Sequence, residues 1–228
     1  LGIRLVSYLG PVTNLQEKVI EQDEWEHAWK QHFQILYVGK TIVIVPSWKV
    51  YRPKAKDIVI KLDPGMAFGT GHHPTTYRCL EVLERVLAPG CRVMDVGAGS
   101  GILAIAAAKL GAGDVIAVEV DRIALRVSRK NIRINGVQHI VRCYLGTVPH
   151  EHLRPRTGDL VLANLNAVIL TDRASALRDV VGPRGLLIAS GILADHHMQV
   201  QQAFRDAKLN IRESIIDGDW VTIIANPL

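Results

Sequence analysis

From Arg92 to Ala207 the sequence alternates between two kinds of segment so regularly that few folds remain open to it. Short apolar runs at Arg92–Val96, Val115–Val120, Ile140–Tyr144, Asp159–Ala163 and Gly185–Ala189 read as strands. Between them, Ile102–Leu110, Arg122–Asn135, Ala167–Val181 and Ala194–Ala207 carry helical spacing. Alternation of this kind implies parallel strands, each helix carrying the chain back across the sheet in a right-handed crossover. The tail breaks the rhythm. Ile211–Ile216, the turn pair Asp217-Gly218 and Trp220–Ala225 spell two strands folded back on one another. The expected fold is α/β: a doubly wound, mainly parallel sheet closed by a C-terminal antiparallel hairpin.

Upstream the pattern is less regular. Thr75–Leu87 places Leu80, Leu83 and Leu87 at helical spacing and is stopped by Pro89-Gly90. Thr41–Val45, after a turn at Gly39-Lys40, and Asp57–Leu62 read as strands. Glu21–Phe33 gathers Trp25, Ala28, Trp29 and Phe33 near one helical face. We therefore expect residues 1–56 to be an N-terminal remnant and linker (a helix plus a β-hairpin), and residues 57–228 to be the doubly wound domain that carries the chemistry. With 48% hydrophobic residues the chain can bury a large core, and no apolar run is long enough to span a bilayer. The N-terminus lacks the charged start and apolar core of a signal peptide. Cys79, Cys91 and Cys143 are odd in number and share no CxxC spacing, which predicts free thiols in a reducing, cytoplasmic setting and no zinc or other metal site. The formal charge of +5 is mild and aromatics are only 5%, so nucleic acid is not the favoured partner.

The first strand of the alternation runs straight into Gly97, Gly99 and Gly101 and then a helix, in CRVMDVGAGSGILAIAAAKLGA. Glycines there let a ligand approach the backbone, and the helix start offers unpaired N–H groups and a positive dipole end. Open α/β sheets bind ligands at the carboxyl ends of their strands. A phosphate-cradling P-loop needs Lys after its last glycine, where this chain has Ile102, and a dinucleotide fingerprint is GxGxxG where this chain has GxGxG. GAGSG preceded by Asp95 resembles motif I of S-adenosylmethionine-dependent methyltransferases. That resemblance implies a Rossmann-like class I domain, S-adenosyl-L-methionine as cofactor and S-adenosyl-L-homocysteine as product. Glu119, at the tip of the second strand, then becomes the carboxylate that accepts the ribose hydroxyls.

A more specific resemblance spans about Asp23 to Ala225. WEHAWKQHF, IVIVPSW, DPGMAFGTGHHPTT, DVGAGSGILAIAAAKLGA, DLVLANLNAVIL, LIASGIL and DGDWVTIIA follow in the order found in the ribosomal protein L-eleven methyltransferase family (PrmA). It implies a protein N-methyltransferase acting on lysine amino groups of a large-subunit ribosomal protein. It also implies that the loop Asp63–Thr76 folds over the methionine part of the cofactor, with Phe68, Gly69, Thr70, Gly71 and Thr76 joining Asp95, Gly97, Gly99, Gly101 and Glu119 as cofactor-binding residues. Asn164, at the end of the fourth strand, would be both a cofactor neighbour and the catalytic residue, its side-chain carbonyl aiming the amine. A helix N-cap is the plainer role for Asn164 and for Asn166. Turn polarity or helix-start contacts are the plainer role for His72 and His73, and core packing for Trp220. No residue stands out as a general base. Many relatives have Asp where Glu119 stands, and residues 1–20 are too few to form the family's substrate-recognition domain. The alternatives are therefore a methyltransferase acting on another protein, RNA or a small amine and, more weakly, a non-catalytic cofactor-binding module. A nicotinamide-dependent dehydrogenase fits poorly, because no proton-relay residue can be identified.

Overall fold

Seven strands build the central sheet, in the order β6-β5-β4-β7-β8-β10-β9. In chain order these are β4 (Arg92–Val96), β5 (Asp114–Glu119), β6 (Val141–Leu145), β7 (Gly158–Asn164), β8 (Val181–Leu193), β9 (Leu209–Asp217) and β10 (Trp220–Pro227). A computed structural model describes residues 33–63, 65 and 67–228; all but the last residue of the helix expected over Glu21–Phe33 lies outside them. Strands β4 to β8 pair in parallel, whereas β10 is antiparallel to both β8 and β9. The Asp217-Gly218 turn thus closes a parallel sheet with an antiparallel hairpin, as the sequence predicts.

Helices cover both faces. On one lie α1 (Pro74–Val86), α2 (Ile102–Lys109) and α3 (Arg122–Ile134); the other carries α4 (Ala167–Asp172), α5 (Ala174–Val180) and α6 (His197–Asp206). Helix α2, ILAIAAAK, has no polar face to show. Residues 102–108 are all buried, so the helix is held by packing on every side. Helix α3 is the opposite case, burying Ala124, Leu125, Ser128, Asn131 and Ile132 and leaving its basic residues outside.

A second, three-stranded sheet precedes the main one: β1 (Leu36–Val38) antiparallel to β2 (Ile42–Pro46), and β2 parallel to β3 (Ile58–Leu62). Glu84 on α1 ties this hairpin down, accepting from the backbone N–H groups of Lys40 and Thr41 at 2.7 Å each. Ile35–Leu228 forms one compact unit.

Two elements differ from the sequence reading. The helix expected over Ala167–Val181 is two short helices, with Arg173 ending α4 at φ −100°, ψ 8° and standing before α5. The strand expected over Gly185–Ala189 runs from Val181 to Leu193, its register shifting where Gly182–Gly185 bulges out of line.

Candidate active site

At the carboxyl ends of β4, β5, β6 and β7 lies a cleft of about 350 Å³. This is where an open parallel sheet leaves unpaired strand ends and helix N-termini facing one crevice. Gly97 and Gly99 form one side, Glu119 and Val120 another, and Asn164 and Leu165 a third, with Phe68 at the rim.

Glu119 is 7% exposed, and its carboxylate bridges two loops: Oε2 accepts from Gly99 N at 2.8 Å and Oε1 from Asp121 N at 2.9 Å. Each oxygen keeps a further lone pair for a hydroxyl donor in the cleft. Asn164 is fixed from behind. Its Nδ2 donates to the buried Thr76 Oγ1 at 3.1 Å, which orients the amide and leaves Oδ1 buried with no hydrogen-bond partner. Gly191 leaves the room this needs: a Cβ there would press on the Leu165 carbonyl and sit 3.2 Å from Asn164 Oδ1.

Phe68 and Gly69, in the loop that ends at His73, dock directly on the glycine turn. Ser100 N donates to Phe68 O at 2.9 Å, and Ser100 Oγ donates to Gly69 O at 2.5 Å. A Cβ on Gly99 would stand 2.6 Å from Phe68 O, and Gly99 has φ +53°, so both contact and conformation require glycine there. Phe68 itself is 57% exposed. Its ring meets His73 edge-on at 5.4 Å, and His73 meets Trp220 edge-on at 4.7 Å. His73 is the N-cap of α1, its Nδ1 lying 2.8 Å from Thr75 Oγ1, in keeping with the helix-start role expected for it. Trp220, expected in the core, is instead only partly buried, because it packs on this helix start at the end of the sheet.

Other expected residues stand behind the cleft wall. Asp95 Oδ2 accepts from Ala104 N at 3.1 Å, supplying α2 with the cap that Gly101 has no side chain to make. Burial pushes the Asp95 carboxyl up to about 7. Gly101 faces Ser128 of α3, and Gly71 faces Ile44 and Ile102. Thr70 Oγ1 receives His72 N at 3.4 Å. The cap of α4 is Asn166, whose Oδ1 accepts from Ile169 N at 2.9 Å; Asn164 is thereby free for the cleft. The sequence reading missed Gly146 and Thr147, which the end of β6 brings into the wall, and the Asp172–Arg173 ion pair (3.1 Å) at the break between α4 and α5. The first pair obeys the same strand-end rule as Glu119 and could have been read. The second depends on a helix break that no Pro or Gly announces.

Strand order, glycine turn and strand-end carboxylate together define a class I S-adenosylmethionine-dependent methyltransferase fold. A TehB-like SAM-dependent methyltransferase from Corynebacterium glutamicum shares that fold at a TM-score of 0.55, 12% identity, 66% of this chain and 87% of its own. Residues 7–227 match the family described as ribosomal protein L11 methyltransferase (PrmA). The ribosomal protein L11 methyltransferase of Chloroflexus aurantiacus is 42% identical over 96% of this chain and 74% of its own length. That of Listeria monocytogenes is 41% identical over 90% of this chain and 65% of its own length. The crystal structure of ribosomal protein L11 methylase from Lactobacillus delbrueckii subsp. bulgaricus superposes with a TM-score of 0.79 at 31% identity, over 86% of this chain and 99% of that one. The chain belongs to the ribosomal protein L11 methyltransferase family, and it spans between about two thirds and three quarters of the length of these sequence relatives.

Proposed function

We propose that this chain binds S-adenosyl-L-methionine in the strand-end cleft and methylates amino groups, chiefly of lysine, on a protein of the large ribosomal subunit in the cytoplasm. The observation that carries the reading is Asn164 Oδ1, buried without a partner beside a cleft that Glu119 lines. An unpaired buried carbonyl oxygen is costly, and a donor arriving in the cleft relieves it. The residues fit the cofactor: Glu119 offers acceptors to a diol, Gly97 and Gly99 expose backbone, and Phe68 offers an apolar cover.

The cofactor, when bound, supplies a methyl group already activated on a sulfonium. The chain's own task is to hold a neutral amine. Asn164 Oδ1 accepts an N–H from it and so directs the nitrogen lone pair, while Thr76 keeps the amide from turning over. An ammonium has no lone pair, and desolvation under Phe68 lowers the amine's pKa toward the neutral form. Water takes the released proton, since of the cleft's carboxylates Glu119 is committed to Gly99 N and Asp121 N, and Asp172 is paired with Arg173. The Phe68 ring at the rim offers its face to an alkylated, cationic nitrogen, which suits a methylated amine product.

Calorimetry with S-adenosyl-L-homocysteine, paired with mass spectrometry of the large-subunit substrate protein, tests this. Asn164→Ala is expected to bind the product with unchanged affinity and to lose transfer by roughly 100-fold, a loss of positioning. Wild-type turnover in that variant would remove Asn164 from the mechanism. A folded sample giving no heat would remove the cofactor.

A further inference from the structure

We propose that the outer face of α3 is a docking surface for the phosphodiester backbone of RNA. Arg122, Arg126, Arg129 and Arg133 fall at i, i+4, i+7 and i+11, one face of the helix over about 16 Å at 1.5 Å per residue, and all four are exposed. The helix contains no Asp or Glu, so no intrahelical pair neutralises the row. Helix α1, by contrast, interleaves Arg78 and Arg85 with Glu81 and Glu84.

Stability does not account for the arrangement. Arg122 occupies the first helical position, where a cation opposes the helix dipole. Among the described residues, neither Arg122 nor Arg126 has an ion-pair partner. Arg129 is tied down, its guanidinium donating to Cys143 O at 2.8 and 3.1 Å, and Arg133 Nε donates to Arg129 O at 3.2 Å, which leaves the rest of that guanidinium facing outward. The carboxylates nearby are engaged: Asp121 caps the helix through Ile123 N at 2.7 Å, and Asp63 pairs with Lys130 at 2.7 Å. Strand β6, against which α3 packs, is the edge of the sheet, so the row lies at the rim with no strand beyond it.

Charge complementarity selects the occupant. A line of guanidinium groups a helical turn apart suits a polymer with regularly repeated phosphates, and Arg forks bind phosphate oxygens in pairs. A membrane would need the apolar side of the helix, and that side is spent in the core. The proposal is independent of the methyl-transfer reading.

The test is fluorescence anisotropy of a fluorescein-labelled RNA hairpin against the full chain across a range of KCl concentrations. Three to four phosphate contacts give a plot of log Kd against log[KCl] with a slope of about 3. The variant Arg122→Gln/Arg126→Gln/Arg133→Gln leaves Arg129 in place on Cys143. It is expected to melt at the wild-type temperature, bind RNA at least 10-fold more weakly and flatten that slope, while the corresponding Lys variant keeps most of the affinity. Wild-type RNA affinity in the Gln variant, no RNA binding by the wild type, or tighter binding to polyglutamate or to phosphatidylserine vesicles than to RNA would each overturn the proposal.

Discussion

Asp95 shows how one residue links the strand, the helix and the response to pH. Its carboxyl is 1% exposed, accepts a single N–H, and has its other oxygen unpartnered. Burial raises it to about 7 from 3.8, with a further push from Glu119 and opposed by the Ala104 N–H. Between about pH 4 and pH 7 the folded chain therefore holds a proton that the unfolded chain has released. The unfolded state binds fewer protons there, so this group's effect is a stability that declines as pH rises through that window and is level above it. Urea midpoints measured from about pH 5 to pH 8 should show the decline in the wild type, and Asp95→Asn, which cannot ionise, should remove a component on the order of a few kcal/mol. Identical pH profiles would mean that Asp95 is ionised in the fold. The residues readable from sequence (Gly97, Glu119, Asn164) are those that chain position alone puts at strand ends. Thr76 was readable as a site residue but not as the partner of Asn164, because 88 residues separate the two.

At the scale of elements, the glycine turn is held by α3 as much as by its own strand. Asn131, fully buried, donates from Nδ2 to Ser100 O at 2.9 Å and accepts at Oδ1 from Asp63 N at 3.0 Å. One amide thus clamps both the turn after β4 and the start of the loop that roofs the cleft. Asn131→Ala should cost about 2–4 kcal/mol in urea unfolding, for two lost hydrogen bonds and the groups left unpaired. Hydrogen exchange should quicken at Gly97–Gly101 and Phe68–Gly71 while the amides of β7 and β8 stay protected. Uniform acceleration would mean the clamp is only part of the general core. The sequence announced where most elements lie, since a helix such as α3 shows its buried and exposed faces by spacing alone. It could not announce the break at Arg173, a residue of ordinary helix propensity with neither Pro nor Gly beside it. Nor could it show that β2 and β3, read as linker and domain, pair in parallel within one small sheet.

For the molecule as a whole, the cleft is a junction. The ends of β4, β5, β6 and β7 and the loop bearing Phe68 all contribute wall, and they are separated by as much as 105 residues between Phe68 and Arg173. A ligand filling it would add cross-links between parts of the chain already joined by single hydrogen bonds such as Ser100 N to Phe68 O and Asn164 Nδ2 to Thr76 Oγ1. Binding to the folded state alone stabilises it by about 2.7 kcal/mol at a ligand concentration 100 times Kd. For a chain of this size that corresponds to a rise in melting temperature of about 5–10 °C. S-adenosyl-L-homocysteine should produce such a rise in a thermal melt, and ATP at the same concentration should not. Phe68→Ala separates the roof from the floor of the cleft: with its side chain largely exposed, the variant should melt within about 1 °C of wild type when free, since exposed sites contribute little. It should then show a smaller rise with ligand, because the apolar cover is gone while Glu119 and the glycine turn remain. An undiminished rise in Phe68→Ala would place the loop outside the binding surface and leave the strand ends to hold the ligand alone.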